Sequence, residues 1–472
     1  MLNLNLNDRD TLLKFDQQLP VYNWYYPFPS DEDEVVDTHQ ALLTLKTVKE
    51  NRGRRALYFH VPFCDTLCTF CPFYRLTNYT YLERVDQYVD AMIAEMKWKS
   101  QYLGIGKVPV DIIAVGGGTP SVLTAEQIRR FGAALRDHFD LSELKEFTFE
   151  LEVKSVTPEK LQAMKKIGVN RVSFGVQTFH PVYREIFNIT STPEQVRQVA
   201  KWATDTFAYV NIDIIFGLAG QSLDDLMAEA DAAIALGTTT VDFYPLNYMS
   251  ASLKMHRQFK ERGLEPLSPA TKIGYRMFLD EYMRAKGYIP INGYSYTRDR
   301  KERTGRVLLD RDPVFQYHDV LYGYSTDEVI GFGASAVTQA GDFNTFNPSS
   351  LDEYIDELQK EGALLSALTL GNKDCPEKGI VYFPYRGVLE KDRIEWARVP
   401  DETRQRLAEA VQKGLVADGG DRYTLTQAGW LFYVNLVYFL TPGAGQQWLN
   451  ERIEKRIEEG RDPDAIQLYE LV

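Results

Sequence analysis

Three of the chain's four cysteines fall within eight residues, Cys64-Asp-Thr-Leu-Cys68-Thr-Phe-Cys71. Thiolates at this Cys-x3-Cys-x2-Cys spacing supply three ligands to a [4Fe–4S] cluster and leave one iron open to a small molecule. The same residues could instead make a zinc site short of one ligand, or three incidental buried thiols. The loop directly follows the run ALYFHVPF at 56–63, whose alternation points Tyr58 and His60 towards it from one face. Cys375 stands far off in GNKDCPEKG, outside that loop.

Other polar residues sit where apolar runs end. Gly116-Gly117-Gly118-Thr119-Pro120 closes VDIIAVGGG, and glycines there allow either a tight turn or the close approach of backbone to a ligand. Glu150 ends TFE, Gln177 ends RVSFGVQ and Asp213 interrupts YVNIDIIFG, each as a ligand contact or as a group that satisfies local backbone. His318-Asp319 is a neighbouring pair that could move a proton or bind iron, or form only a surface hydrogen bond.

The elements that must carry these residues follow from periodicity. Six short β-branched and aromatic runs, at 56–63, 110–118, 146–153, 171–177, 209–217 and 240–247, alternate with stretches of helical period such as DQYVDAMIAEMKW, PEKLQAMKKIG and SLDDLMAEADAAIALG. The pattern predicts an α/β fold, a partial (β/α) TIM-like barrel of parallel strands in which function collects in the loops after the strands. Residues 1–50 form an N-terminal extension over the site, 51–300 the barrel, 301–372 a closing segment, and 373–472 a small, mainly helical or winged-helix-like domain. Within the closing segment, GFGASAVTQAGDFN reads as a Gly-punctuated loop.

Composition narrows the possibilities. With 472 residues and 44% hydrophobic content the chain can bury a large core, and a net charge of −13 argues against a nucleic-acid partner. Four cysteines are too few for a disulfide scaffold, and MLNLNLNDRDTLLKF lacks the pattern of a signal peptide. The longest apolar run, LFYVNLVYFL, is too short to span a membrane. A cytoplasmic protein with reduced thiols is expected.

Tyr58-Phe-His60-Val-Pro-Phe-Cys64 with its three-cysteine loop resembles the radical S-adenosylmethionine (SAM) superfamily, and within it the oxygen-independent coproporphyrinogen III oxidase-like (HemN-like) branch, through residues 14–440. The resemblance implies that Cys64, Cys68 and Cys71 hold the cluster, and that Tyr58, Phe70, Gly117, Gly118, Thr119, Glu150, Gln177 and Asp213 lie at the SAM that gives the 5′-deoxyadenosyl radical. It implies an electron donor of the reductase or flavodoxin type. Gly333 and Ala334, in Gly331-Phe-Gly333-Ala334-Ser-Ala336, resemble the segment beside a second SAM.

This sequence departs from the dehydrogenase pattern at several positions. Pro72-Phe73-Tyr74 stands where the dehydrogenase has Gly and a fourth Cys, Ile189 where an arginine meets a SAM carboxylate, and His318-Asp319 where a Phe-Gln pair lies near the second SAM. His318-Asp319-Val-Leu-Tyr322-Gly323 keeps the His and Tyr, without the Asn and Trp, of the haem-chaperone signature. In PVYNWYYP, Val21 replaces an arginine, and Tyr22, Trp24, Tyr25, Tyr26 and Phe28 suit stacking on a flat ligand.

These features together predict a class C radical SAM methyltransferase. It would use two SAM molecules to methylate or cyclopropanate an sp2 carbon of a planar conjugated substrate: a natural product, a quinone, or a tetrapyrrole such as haem. His318, Asp319 and His60 are the expected catalytic residues. Coproporphyrinogen III dehydrogenation and haem carriage are the alternatives.

Overall fold

The computed structural model describes residues 26–27, 34–46, 53–77, 84–248, 251–298, 314–371 and 375–458. All six expected strands form: β1 (Arg55–Val61), β2 (Ile112–Gly117), β3 (Glu146–Leu151), β4 (Arg171–Gln177), β5 (Tyr209–Phe216) and β6 (Thr240–Pro245). They pair in that order, all parallel.

Side chains alternate strictly along them. Leu57, Phe59, Ile113, Val115, Phe147, Phe149, Val172, Phe174, Val210, Ile212, Val241 and Phe243 belong to the main hydrophobic core. The intervening positions carry Tyr58, His60, Glu150, Ser173, Asn211, Asp213, Asp242 and Tyr244. Successive side chains of a strand point to opposite faces, so one face of the sheet is apolar and the other largely polar. The apolar face is covered by α1 (Val85–Lys97), α2 (Ala125–His138), α3 (Pro158–Ile167), α4 (Pro193–Thr206) and α5 (Leu223–Ala235), whose buried residues join the same core. Thr124 with Gln127, Thr192 with Gln195 and Ser222 with Asp225 form capping boxes that fix where α2, α4 and α5 begin.

The sheet runs further than the six runs. α6 (Pro269–Ala285) leads to β7 (Tyr288–Pro290) and β8 (Ser295–Arg298), which extend the β6 edge antiparallel. At the other edge β9 (Glu328–Phe332) pairs parallel with β1, and β10 (Val337–Gln339), β11 (Phe343–Phe346) and β12 (Leu368–Gly371) follow antiparallel, completing a twelve-stranded sheet. The stretch expected to be a Gly-punctuated loop is therefore strand for much of its length. Its glycines mark close approach: a Cβ on Gly331 would fall 2.6 Å from the carbonyl oxygen of Val337, and one on Gly333 2.5 Å from that of His60.

Between β8 and β9 lies α7 (Gln316–Leu321), laid across the start of the polar face, where Tyr317 and Val320 pack on Ala56, Ile112 and Ala114. The C-terminal part contains α8 (Lys378–Arg386), α9 (Asp401–Gln412), α10 (Tyr433–Leu440) and a small antiparallel sheet of β13 (Val388–Glu390), β14 (Val416–Asp418) and β15 (Arg422–Leu425). Its Trp430 and Phe383 join the same core as the sheet. No helix among the described residues is long and apolar enough to cross a membrane.

Candidate active site

The cysteine loop leaves the end of β1 and is tied down on several sides. Arg75 donates to the carbonyls of Cys68 at 2.7 Å and of Cys71 and Phe73 at 2.8 Å, Thr69 Oγ1 donates to Ile186 O at 2.8 Å, and Phe70 packs on Phe187. None of the three thiols is in a disulfide. Burial pushes all three up, Cys68 to about 12, while the Arg75 guanidinium pulls the other way. Thiols in this setting ionise when a cationic centre binds them. No three Cys, His, Asp or Glu side chains among the described residues converge on a single ion; a four-iron cluster asks instead for one thiolate on each of three irons. Cys64, Cys68 and Cys71, three free thiols on one loop, supply that donor set.

His60 braces this loop. Its Nε2 lies 3.1 Å from Tyr74 O, so the ring donates there, and Nδ1 accepts from Tyr58 Oη at 3.0 Å. Burial lowers its pKa to about 4, leaving a neutral ring with both nitrogens engaged. Both ring nitrogens of His60, expected as a catalytic residue, thus have protein partners. Gly117, at φ +107°, and Gly118 press against His60 and the Pro62–Phe63 backbone, where a Cβ would fall 2.6 Å and 2.7 Å away. Their smallness thus seats the triple-glycine turn against the root of the cysteine loop, and Thr119 Oγ1 donates to Cys64 Sγ at 3.4 Å.

Across the polar face lie three carboxylates. Asp213 and Asp242 are register partners on β5 and β6, and Gly175 is the partner of Asp213 on β4. Gln177 follows a register shift at φ +67°, a strained value for a residue with a Cβ, and its Nε2 lies where a Cβ on Gly175 would collide. Glu150, Gln177 and Asp213, which the sequence singled out separately, thus share one face. Burial pushes Glu150, Asp213 and Asp242 up, and the charge of Asp242 adds to the rise at Glu150 and Asp213. Asn211 donates to Asp213 at 2.9 Å and Tyr244 Oη to Asp242 Oδ2 at 3.1 Å, while Asp242 Oδ1 has no partner.

A wall of rings closes this space. Tyr244 and Tyr294 lie 4.4 Å apart, Phe315 and His318 4.4 Å, and Tyr58 stacks on Tyr317 at 5.5 Å. His318 is placed by α7, whose Gln316 and Tyr317 N–H groups donate to Glu146 at 3.1 Å and 3.2 Å, Glu146 being held in turn by Arg171. Its Nδ1 meets Tyr294 Oη, and burial lowers its pKa to about 3.

Asp319, expected beside His318 as a second base, turns away: it is buried and pairs with Arg54 at 3.7 Å, because successive residues of a helix face different directions. The N–H groups of Gly333 and Ala334, expected beside a second SAM, are both taken up by protein. Gly333 N donates to Glu95 and its carbonyl accepts from Asn347, both at 2.8 Å, and Ala334 N donates to Tyr88 Oη at 2.9 Å. Ile189 packs with Phe70 in a separate apolar cluster, and the nearby Arg184 is spent on Thr178 O and Ser191. Of the N-terminal aromatics only Tyr26 is described, donating to Glu377 at 2.8 Å; Tyr22, Trp24, Tyr25 and Phe28 lie outside the described residues. Asp242, Tyr244 and Tyr294 went unremarked in the sequence, although the alternation in TVDFYP already puts Asp242 and Tyr244 on the polar face.

Comparison with known proteins accords with this geometry. The family described as Radical SAM superfamily matches residues 58–233. The chain is 26% identical over 353 residues to the oxygen-independent coproporphyrinogen III oxidase of Pseudomonas aeruginosa, covering 74% of this chain and 75% of that protein. It is 26% identical over 442 residues to the anaerobilin synthase of Escherichia coli O157:H7, covering 92% and 91%. To the haem chaperone HemW of Lactococcus lactis it is 31% identical over 281 residues, covering 59% and 68%. The solved coproporphyrinogen III oxidase HemN of Escherichia coli shares its fold, with a TM-score of 0.72 at 24% identity, covering 89% of this chain and 96% of that one. The chain belongs to the radical SAM superfamily, in the HemN-like branch shared by the oxygen-independent coproporphyrinogen III oxidases and the HemW haem chaperones.

Proposed function

We propose that this radical SAM enzyme acts on a tetrapyrrole, removing hydrogen from it oxidatively, as the kinship with coproporphyrinogen III oxidases suggests. The observation that carries the reading is the pairing of Asp213 with Asp242 beneath the ring wall of Tyr244, Tyr294, Phe315 and His318. Pyrrole N–H groups need acceptors, and a macrocycle needs flat apolar walls.

Cys64, Cys68 and Cys71 would hold the cluster, with Tyr58, the Gly117–Thr119 turn, Glu150 and Gln177 around the SAM. When bound, cluster and SAM supply a carbon-centred radical able to abstract hydrogen from unactivated carbon. Everything else falls to the chain. Asp242 Oδ1 offers an unused acceptor to a substrate N–H, and the rings exclude water. His318, held neutral by burial and joined at Nδ1 to Tyr294 Oη, would orient the substrate rather than hold a proton.

Methyl transfer from a second SAM is a second reading. The cluster loop favours it by continuing into Pro72-Phe73-Tyr74, in place of the dehydrogenase's Gly-Cys. One experiment separates the readings: the anaerobically reconstituted protein is reduced with SAM and either coproporphyrinogen III or haem, and 5′-deoxyadenosine and S-adenosylhomocysteine are quantified. Substrate-dependent deoxyadenosine without S-adenosylhomocysteine is expected. Equal amounts of both would establish alkylation, and a stoichiometric haem Soret change without turnover would make the protein a carrier.

A further inference from the structure

A basic helix abuts the cysteine loop of this acidic protein. Ser252 N donates to Thr69 O at 2.8 Å, so the helix Leu253–Glu261 starts against the stretch of loop between Cys68 and Cys71. Its Met255 and Phe259, one turn apart, are buried in a cluster with Phe187 on which Phe70 of the loop also packs. The opposite face is turned outward, where Leu253, Arg257 and Lys260 recur at helical spacing with Lys254 beside them, all four exposed. Glu261 is the helix's single acid, and Arg262 just beyond it is taken by Glu185 at 2.6 Å. Among the described residues no carboxylate forms an ion pair with Lys254, Arg257 or Lys260. Over the whole chain the balance is the reverse, 66 Asp+Glu against 53 Lys+Arg.

Apolar surface adjoins these charges. Leu67 and Phe73 of the loop region are 41% and 48% exposed, and Leu253 at the helix start is 45% exposed. Asn188 Nδ2 holds the Leu67 carbonyl at 3.0 Å, so this part of the loop is fixed rather than trailing. Large exposed apolar side chains beside a charged rim have the composition of a protein contact surface. Nine residues of helix span about 13 Å, so one face of a small protein can cover the three cations and the loop together. A cluster on the loop's thiols must take its electron from outside the chain, and a single hydrogen bond, Ser252 to Thr69, links the helix start to the residue next to Cys68.

We propose that the outward face of the helix Leu253–Glu261, with Leu67 and Phe73, docks a small acidic protein that carries single electrons, and that the cluster is reduced there. One electron leaves the carrier, which is oxidised by one, and enters the [4Fe–4S] cluster, whose charge falls by one; no bond forms or breaks. The proposal rests on a cluster at Cys64, Cys68 and Cys71 and does not depend on the substrate.

The test uses the full-length protein with its cluster reconstituted and reduced flavodoxin, an acidic FMN protein, as the probe. Cluster reduction is followed anaerobically by visible absorption and by the electron paramagnetic resonance of the reduced cluster. Both proteins are net negative, so salt speeds an encounter at random faces by screening repulsion, and slows one that occurs at a local basic face. The wild-type rate is expected to fall severalfold as salt is raised. A rate that rises or stays level, which requires no variant to fold, would overturn the proposal. Lys254→Glu combined with Arg257→Glu is expected to cut the low-salt rate about tenfold or more, while reduction by methyl viologen, a small cation, is no slower. Equal flavodoxin rates in the two proteins would also overturn it.

Calorimetric binding of flavodoxin to the apoprotein reads the docking without the cluster, and should weaken in the same variant. A chain that forms no cluster yet binds flavodoxin through this face would count against the cluster reading alone. A cluster that forms while the variant binds flavodoxin as wild type does would count against the docking face alone. Binding to phosphatidylserine vesicles that the variant loses, with its flavodoxin rate unchanged, would assign the face to an anionic membrane and overturn the proposal.

Discussion

Asp213 illustrates how a single carboxyl can set conflicting demands. Burial and the neighbouring Asp242 raise it to about 8, whereas an unfolded aspartate ionises near pH 4. Between those values the folded chain keeps a proton that the unfolded chain has released, so this group's effect on stability becomes more unfavourable as pH rises through the window. Asp213→Asn should match wild type near pH 4 and exceed it by about 1 kcal/mol or more at pH 8 in urea unfolding of the apoprotein. A difference independent of pH would refute the burial argument. Cys68 presents the opposite case, since it stands in the loop after β1 and is not part of the main hydrophobic core. Cys68→Ala should leave the far-ultraviolet circular dichroism unchanged while abolishing the visible absorption of the reconstituted cluster. The thiols, Glu150 and Gln177 stood out in the sequence because each type is costly to place at the end of an apolar run without a partner. The ion pair of Asp319 with Arg54 did not, because 265 residues separate the two and only the fold brings them together.

Elements, rather than single residues, determine how β9 is held. Glu95 and Lys99 form a fully buried pair at 2.7 Å between α1 and the turn that follows it. Glu95 also accepts from Gly333 N, Asn347 and Tyr354, and Lys99 donates to Gly331 O at 2.5 Å. Removing one partner leaves the other charge buried and uncompensated. Glu95→Ala should therefore cost about 3–5 kcal/mol, measured by chemical denaturation; a loss near that of an exposed helix pair would show that the network is not what holds β9. Nothing in the sequence distinguished this pair, because Glu and Lys four apart usually mark a solvated helix face. The six parallel strands, by contrast, were legible through their alternation, while β9 to β12 were hidden by the glycines that their tight packing requires.

At the scale of the whole molecule, the C-terminal part is continuous with the sheet. Tyr296 of β8 meets Trp430 edge to face at 6.1 Å, Gly293 has no room for a Cβ against Tyr433, and Tyr322 stacks on Tyr385 at 4.7 Å. A chain ending at residue 374 would expose these rings and should lose the cooperative melting transition of the full-length protein. A truncated form that melts sharply would show that the sheet is self-sufficient. Such contacts were illegible because each joins segments tens to hundreds of residues apart, whereas helix starts such as Thr124 with Gln127 are decided within four residues.

The strict alternation of the six parallel strands separates two kinds of inheritance within one stretch of chain. Residues such as Phe59, Phe149, Phe174 and Ile212 answer to the helices behind the sheet, and their interleaved neighbours Tyr58, Glu150, Gly175 and Asp213 answer to whatever lies in front of it. A change at the second set leaves the first set's packing untouched. Reactivity in such a scaffold can therefore diverge among descendants one odd-numbered or even-numbered position at a time, without passing through an unfolded ancestor.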